Sequence, residues 1–408
     1  MKFLTVSLLL SAAFAYYVYL PLPDTLSEPW KLMVLDAVFR TFMHVGNLAH
    51  VLGFGHDIHV INYFVMKAEG TGPQSSQTMQ VTDTFFAGVP VRVFEPTKPV
   101  RQPHLKRGVV YFHGGGWALL SGRMRSYDLL CRNMAEELDA VIVSVDYSLA
   151  PDAHFPQQYF DALKTSAFFL SPEVLAQYSV DPQRVAISGD SAGGNLAAAV
   201  VQQMVADNRT TKFKVQALIY PVLQALDFNT PSYQQNGNTP ILYRPIMARF
   251  WLEYLNASPD LAPLLLANNH TALDLASMPQ EVRAKIDWTR LLPPAFRKDY
   301  QKVTPAEGSG SVLEELPALL DVRAAPLLAE EEVLSAVPPA YIMTCEHDVL
   351  RDDGLMYGRR LEEAGVAVTS DHYQDGFHGC MVFSSWPAKF SVGTRSMWNY
   401  IRWLKENL

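Results

Sequence analysis

The chain opens on an apolar run. Eighteen residues from Phe3 to Leu20 (FLTVSLLLSAAFAYYVYL) carry no charge, close to the length that crosses a bilayer as a helix. Lys2 precedes the run, Asp24 and Glu28 follow it, and Tyr16, Tyr17 and Tyr19 gather at its far end, where amphipathic rings favour a membrane interface. Residues 1–23 are therefore expected to form a signal-anchor transmembrane segment, with a short cytosolic tail and the body on the other side. The alternative is a secretory signal cleaved after Ala13-Phe14-Ala15. From 24 to 65, apolar residues fall at helical spacing (Trp30, Met33, Val34, Ala37, Val38, Phe42), which predicts helices packed near the membrane. A polar loop over 67–80 ends this part, so 24–80 is expected to be an N-terminal helical part of a cap.

The period then changes. Thr82–Glu95 alternates and stops at Pro96, reading as a strand or hairpin. Short apolar strands then alternate with helices. Strands are expected at Gly108–Phe112, Ala140–Val145, Arg184–Ser188, Val215–Tyr220, Ala340–Thr344 and Val366–Tyr373. Helices are expected at Tyr127–Leu138, Asp161–Phe169, Ala192–Ala206 and Arg351–Ala364. Uninterrupted apolar strands between helices predict an α/β fold with a mostly parallel sheet covered on both faces. Residues 224–320 break the rhythm and read as a cap inserted into a catalytic domain spanning 81–408.

Composition narrows the class. Of 408 residues, 49% are apolar and 18% charged, which excludes a disordered chain. The net charge of −8 comes without a basic cluster, which argues against nucleic acid as a partner. Three cysteines exclude a disulfide-dense scaffold and a four-cysteine zinc site. Cys131 and Cys345 are candidates for a disulfide, with Cys380 left free; three buried thiols are the alternative. Asn208, Asn256 and Asn269 head glycosylation sequons, which suits a secretory compartment.

Two glycine-rich segments carry the chemistry. Gly189-Asp190-Ser191-Ala192-Gly193 matches G-x-S-x-G, with a strand before it and an Ala-rich helix after it. That is the strand–turn–helix context a nucleophile elbow requires. His113-Gly114-Gly115-Gly116-Trp117 follows the strand Gly108–Phe112. Its glycines let backbone N–H groups approach an oxyanion, and it lacks the spacing and the Lys of a nucleotide loop. His113 reads as a structural hydrogen-bonder. A base and an orienting carboxylate are still needed. Asp348 lies beyond one late strand and His378 beyond the last, in the order Ser, Asp, His. Glu346, Asp352, Asp353, Asp375, His347 and His372 compete on position alone.

With HGGGW, DYSLAP (Asp146–Pro151), GDSAGGN, DVLRD and DGFHG, the chain resembles the hormone-sensitive-lipase-like branch of the α/β-hydrolases. PLPD (Pro21–Asp24), DVRAAPLLA (Asp321–Ala329), LRDDGLMY (Leu350–Tyr357) and the terminal WLKENL narrow the resemblance to the arylacetamide deacetylase family. The resemblance implies an α/β-hydrolase fold, with Ser191 as nucleophile, Asp348 as orienting acid and His378 as base. It implies an oxyanion hole from Gly114, Gly115 and Gly116 with the N–H of Ala192; the family geometry favours the second and third glycines. Asp190 and His113 support these motifs. The implied activity is cleavage of esters and aryl amides by a cofactor-free enzyme of the endoplasmic-reticulum membrane, with a lumenal catalytic domain. Two other readings stand beside it: a neutral lipid or cholesteryl-ester hydrolase, and an inactive binding protein on the same fold. Ser148 departs from the branch, where many members carry Arg after the Tyr, and the terminal KENL departs from a KDEL retention signal. The cap aromatics Phe228, Tyr233, Tyr243, Phe250, Trp251 and Tyr254 would suit a hydrophobic aryl or lipid substrate, or form the core of the cap itself.

Overall fold

Strands β1 (Met79–Phe86) and β2 (Val89–Pro96) pair antiparallel across the turn at Ala87-Gly88. The sheet continues through β3 (Lys106–Phe112), β4 (Ala140–Val145), β5 (Val180–Asp190), β6 (Val215–Ile219), β7 (Ala340–His347) and β8 (Val368–Phe377). Their order is β1-β2-β4-β3-β5-β6-β7-β8, and β2 meets β4 antiparallel while the pairs from β4 to β8 are parallel. This computed structural model describes residues 2–97, 104–207, 212–271, 280–297, 299–303 and 311–408. The sequon at Asn208 lies outside the described residues.

All six residues of β4 are buried, as a strand covered on both faces requires. Successive side chains point to opposite faces, so each central strand feeds two cores. Val110, Phe112, Val141, Val143 and Ile187 join one, with α5 (Gln157–Phe169), α6 (Pro172–Gln177) and α7 (Ala192–Ala206). Val109, Tyr111, Ile142 and Ala186 join the other, with α4 (Arg125–Leu138) and the C-terminal helix Ser391–Asn407.

Between β6 and β7 the chain leaves the sheet and forms short helices, among them α8 (Pro231–Asn236) and α9 (Arg244–Tyr254). The N-terminal part supplies α1 (Lys2–Val18), α2 (Pro29–Val51) and α3 (Asp57–Glu69). Among the described residues no helix is long and apolar enough to cross a membrane. In place of the expected eighteen-residue span from Phe3 to Leu20, α1 stops at Val18 and has 17 residues, or about 26 Å of helix against a hydrocarbon core of about 30 Å. The end of α1 is clasped by α2: Arg40 donates to the Tyr17 carbonyl at 2.8 Å and Leu20 N–H meets the Met33 sulfur at 3.3 Å. The loop expected from 67 is shorter, because α3 runs to Glu69 and β1 starts at Met79.

The expected Cys131–Cys345 disulfide is absent. All three cysteines are free thiols, and the Cys345 sulfur lies 3.6 Å from that of Cys380. Cys131 instead sits buried on α4.

Candidate active site

Ser191 joins β5 to α7 with φ 55° and ψ −119°, a conformation that costs a residue with a Cβ. Close packing holds it there. The Ser191 N–H donates to the Ile219 carbonyl at 2.9 Å. Gly193, the second residue of α7, lies so close to β3 that a Cβ would strike the Phe112 carbonyl oxygen. The elbow therefore needs glycine at this position for approach rather than for flexibility.

The parallel pairing of β7 and β8 brings their carboxyl ends together, with His347 opposite Phe377. Asp348 and His378, the next residue on each, then meet. His378 Nδ1 is 2.8 Å from Asp348 Oδ2, and its Nε2 is 3.0 Å from Ser191 Oγ. With Nδ1–H given to the carboxylate, Nε2 is the acceptor for the serine hydroxyl proton. Asp348 also accepts the Leu350 N–H at 2.8 Å, and the Tyr220 ring packs 4.9 Å from the imidazole. All three side chains are buried. This is an arrangement in which an imidazole can take a hydroxyl proton while a carboxylate fixes its tautomer.

The glycine loop faces the same point. Among the described residues the N–H groups of Gly115, Gly116 and Ala192 meet no acceptor. Gly115 has φ 109°, a value for which only glycine serves, and a Cβ would strike the Leu119 carbonyl. Gly114 differs from the other two. Its N–H donates to the Tyr127 hydroxyl at 2.9 Å, so it is engaged in holding the loop and is not available to an oxyanion. Tyr127 in turn donates to Asp190 at 3.0 Å, and Tyr111 donates to the same carboxylate at 2.9 Å. Burial pushes Asp190 up to about 6, against the pull of these two hydroxyls. His113 is fully buried, with Nδ1 2.7 Å from the Gly114 carbonyl oxygen and its ring stacked on Tyr147 at 4.4 Å. Burial holds it below the usual imidazole range, which suits a structural hydrogen-bonder.

The competing groups point elsewhere. Glu346 meets Arg351 at 2.8 Å and His372 at 3.1 Å. Burial raises it, yet those partners outweigh burial and hold it at about 2. His347 bonds Thr25, Asp352 pairs with Arg351, and Asp375 pairs with Arg395. Asp353 accepts the Leu223 N–H, and burial raises it to about 7. At Ser148, where an ion pair was in question, the backbone N–H donates to Asp161 at 3.0 Å.

Ser191 and His378 open onto a cavity of about 110 Å³, lined by Phe39 of α2, Ile241, Leu242, Met247, Phe250 and Phe383 among others. A larger groove of about 520 Å³ beside α3 contains none of the three central side chains. Of the six cap aromatics, Phe250 alone lines the cavity. Trp251 and Tyr254 pack on Trp117 of the glycine loop, with ring centroids at 4.8 and 4.1 Å, and Phe228 and Tyr233 are buried against each other, so most of the set is core packing. Tyr127 and Tyr111 shape the loop without a sequence signal, because only the fold brings their hydroxyls to Asp190 and Gly114.

A family model described as the alpha/beta hydrolase fold matches residues 109–282 and 307–382. The chain belongs to the α/β-hydrolase fold family, and within it is a carboxylic ester hydrolase. It is 56% identical over 401 residues to neutral cholesterol ester hydrolase 1 of Bos taurus, covering 98% of each chain. It is 43% identical over 402 residues to arylacetamide deacetylase of Bos taurus, again covering 98% of each. The expected narrowing to the arylacetamide deacetylase family is therefore not confirmed, and the hormone-sensitive-lipase-like family that holds both relatives stands. Among solved structures, a thermostable esterase from Pseudomonas putida superposes with a TM-score of 0.62 at 24% identity, covering 86% of this chain and 90% of that one.

Proposed function

We propose that the protein hydrolyses apolar carboxylic esters at a membrane surface, with neutral lipid esters such as cholesteryl or acylglycerol esters as its main substrates. The observation that carries this is the bonded chain Ser191–His378–Asp348 beside an apolar cavity. His378 takes the Ser191 proton as Oγ attacks the acyl carbon. Asp348 stabilises the imidazolium, and the N–H groups of Gly115, Gly116 and Ala192 receive the oxyanion. His378 then protonates the leaving alcohol, and water releases the acyl group by the same steps. The relatives named for cholesterol ester hydrolysis support the lipid ester. Deacetylation of aryl amides is the second reading, favoured by the small cavity and by the relative named for that activity. An inactive binding protein is disfavoured by the intact hydrogen-bonded set.

Membrane attachment and a lumenal location in the endoplasmic reticulum belong to the same reading. Their support is the exposed apolar side chains of α1 (Leu8, Leu9, Leu10, Phe14) and of α2 (Trp30, Leu48, Val51). Exposed Asn256 and half-buried Asn269 are the glycan sites it would use.

The test is turnover by detergent-solubilised wild type and Ser191→Ala of three substrates: a cholesteryl or diacylglycerol ester, a short aryl ester and an acetanilide. Preference for the lipid ester, lost in the variant, supports the proposal. Preference for the acetanilide moves the assignment to the second reading, and activity that survives the substitution removes Ser191 as nucleophile. Carbonate extraction and protease protection of microsomes test the attachment and its side.

A further inference from the structure

One wall of the substrate cavity is held in a strained form by a residue far away in sequence. Ile241 lines the cavity beside Gly379, the neighbour of His378. Its φ is 76°, where a β-branched residue is a true outlier. Such a conformation persists only when its surroundings over-determine it. Ile241 packs against the apolar core on one side, and its polar restraint is one carboxylate. Asp36 of α2 is fully buried, and its Oδ1 accepts the Ile241 N–H at 3.3 Å and the Tyr243 hydroxyl at 2.7 Å. Its Oδ2 takes Arg40 Nε at 2.6 Å, and the same guanidinium reaches the Tyr17 carbonyl at the end of α1. Phe39, between Asp36 and Arg40, is itself in the cavity wall.

We propose that Asp36 is a positioning residue that sets substrate size: by holding Ile241 and Tyr243 it presses Ile241-Leu242 against the cavity. In this held form the pocket takes a short acyl group, and the long acyl group of a lipid ester, the main substrate proposed above, enters only as the Asp36 contacts to the cap yield. The cavity of about 110 Å³ is well below the few hundred cubic ångströms of a pocket for a larger ligand. The inference rests on the ester-hydrolase reading and gives that site its size selectivity.

The experiment uses full-length protein in detergent and a pair of aryl esters, the acetate and the dodecanoate. Tyr243→Phe removes one cap contact and leaves the Asp36–Arg40 pair in place; Asp36→Ala removes every contact. The expected result is a rise of fivefold or more in the dodecanoate-to-acetate ratio of kcat/KM, carried by KM for the dodecanoate. The acetate kcat should stay within twofold of wild type. Should Asp36→Ala fail to fold, Tyr243→Phe decides alone. An unmoved ratio in Tyr243→Phe, or an equal fall on both esters, overturns the proposal while leaving the hydrolase reading intact. A wild type inactive on both esters overturns the hydrolase reading and this proposal with it.

Discussion

Tyr127→Phe separates the support of the glycine loop from the support of the elbow. The ring is fully buried, and phenylalanine keeps its packing while deleting one oxygen. That oxygen makes two bonds, accepting from Gly114 N–H at 2.9 Å and donating to Asp190 at 3.0 Å. A buried N–H without a partner costs about 1–3 kcal/mol, and a hydrogen bond to a charged group contributes about 1.5–3. Asp190, already raised to about 6 by burial, offsets part of this by taking a proton. The expected loss of stability is therefore about 2–4 kcal/mol, read from urea unfolding. Gly114 is bonded to the peptide that carries the Gly115 N–H, so the loop loosens where the oxyanion would sit. Removing a donor outright costs about 10²–10³ in kcat; a displaced donor should cost about tenfold on a short aryl ester. Tyr111→Phe is the control. It also takes a hydroxyl from Asp190, at 2.9 Å, but touches no loop glycine, so stability should fall with kcat within threefold. The pH dependence has a definite sign. A carboxyl raised in the folded state favours that state at low pH and loses the contribution as pH rises through about 6. Both variants raise Asp190 further, so their deficit should be largest at pH 7 and above and shrink toward pH 5. Equal kcat in the two variants, or wild-type kcat in Tyr127→Phe, would refute the idea that Gly114 positions the loop.

Three further outcomes are expected. Asp348→Asn should lower kcat on esters by about 10³–10⁴ with little change in KM, because the amide favours the wrong tautomer; Glu346→Gln should stay within threefold in the same assay. Glu346 is held at about 2 by His372 and Arg351 against burial. Its contribution is present above about pH 4.5 and lost as pH falls through 2, so Glu346→Gln should be less stable by about 1–3 kcal/mol at pH 7, with the gap narrowing below pH 4.5. Finally, alkylation in denaturant without reductant should add three adducts to the intact mass, and almost none without denaturant, since all three cysteines are free and buried; two fewer adducts would indicate a disulfide.

Much of the frame was legible because it depends on local pattern. Buried parallel strands need continuous apolar runs, and AVIVSV in β4 could be little else. The elbow and glycine loop each follow a strand directly, which fixes their end of the sheet. Asp348 and His378 were readable from their places just beyond two late strands, although the parallel register of β7 and β8 is what brings them within 2.8 Å. Features that depend on register across distant segments were not legible. Cys380 lies in a short turn after β8, and only the fold sets it 3.6 Å from Cys345 rather than leaving Cys345 for Cys131. The apolar run beginning at Phe3 does not reveal that α2 captures its end near Tyr17. The cap aromatics were ambiguous because an apolar ring is as much at home in a core as against a substrate, and here the core takes most of them.

Backbone strain shows how these distant segments depend on one another. Trp117, Leu120, Ser191, Tyr220 and Ile241 all have positive φ, and each lies at or beside the site. Such residues cost about 1–3 kcal/mol apiece, so each needs restraint from a neighbour. Trp117 is stacked on Tyr254 of α9, Tyr220 N–H is tied to the Met343 carbonyl of β7, Ser191 to Ile219 of β6, and Ile241 to Asp36 of α2. The restraints on Ser191 and Tyr220 come from the sheet, which is rigid and buried. Those on Trp117 and Ile241 come from the insertion and from the N-terminal helices, which have no strands to stiffen them. The nucleophile and base are therefore fixed by the most stable part of the molecule, while the cavity wall is fixed by a less stable part. Substitutions in α2 or in the insertion should accordingly shift the choice of substrate before they slow turnover of a small one. Substitutions at the carboxyl ends of β5, β7 and β8 should slow every substrate alike.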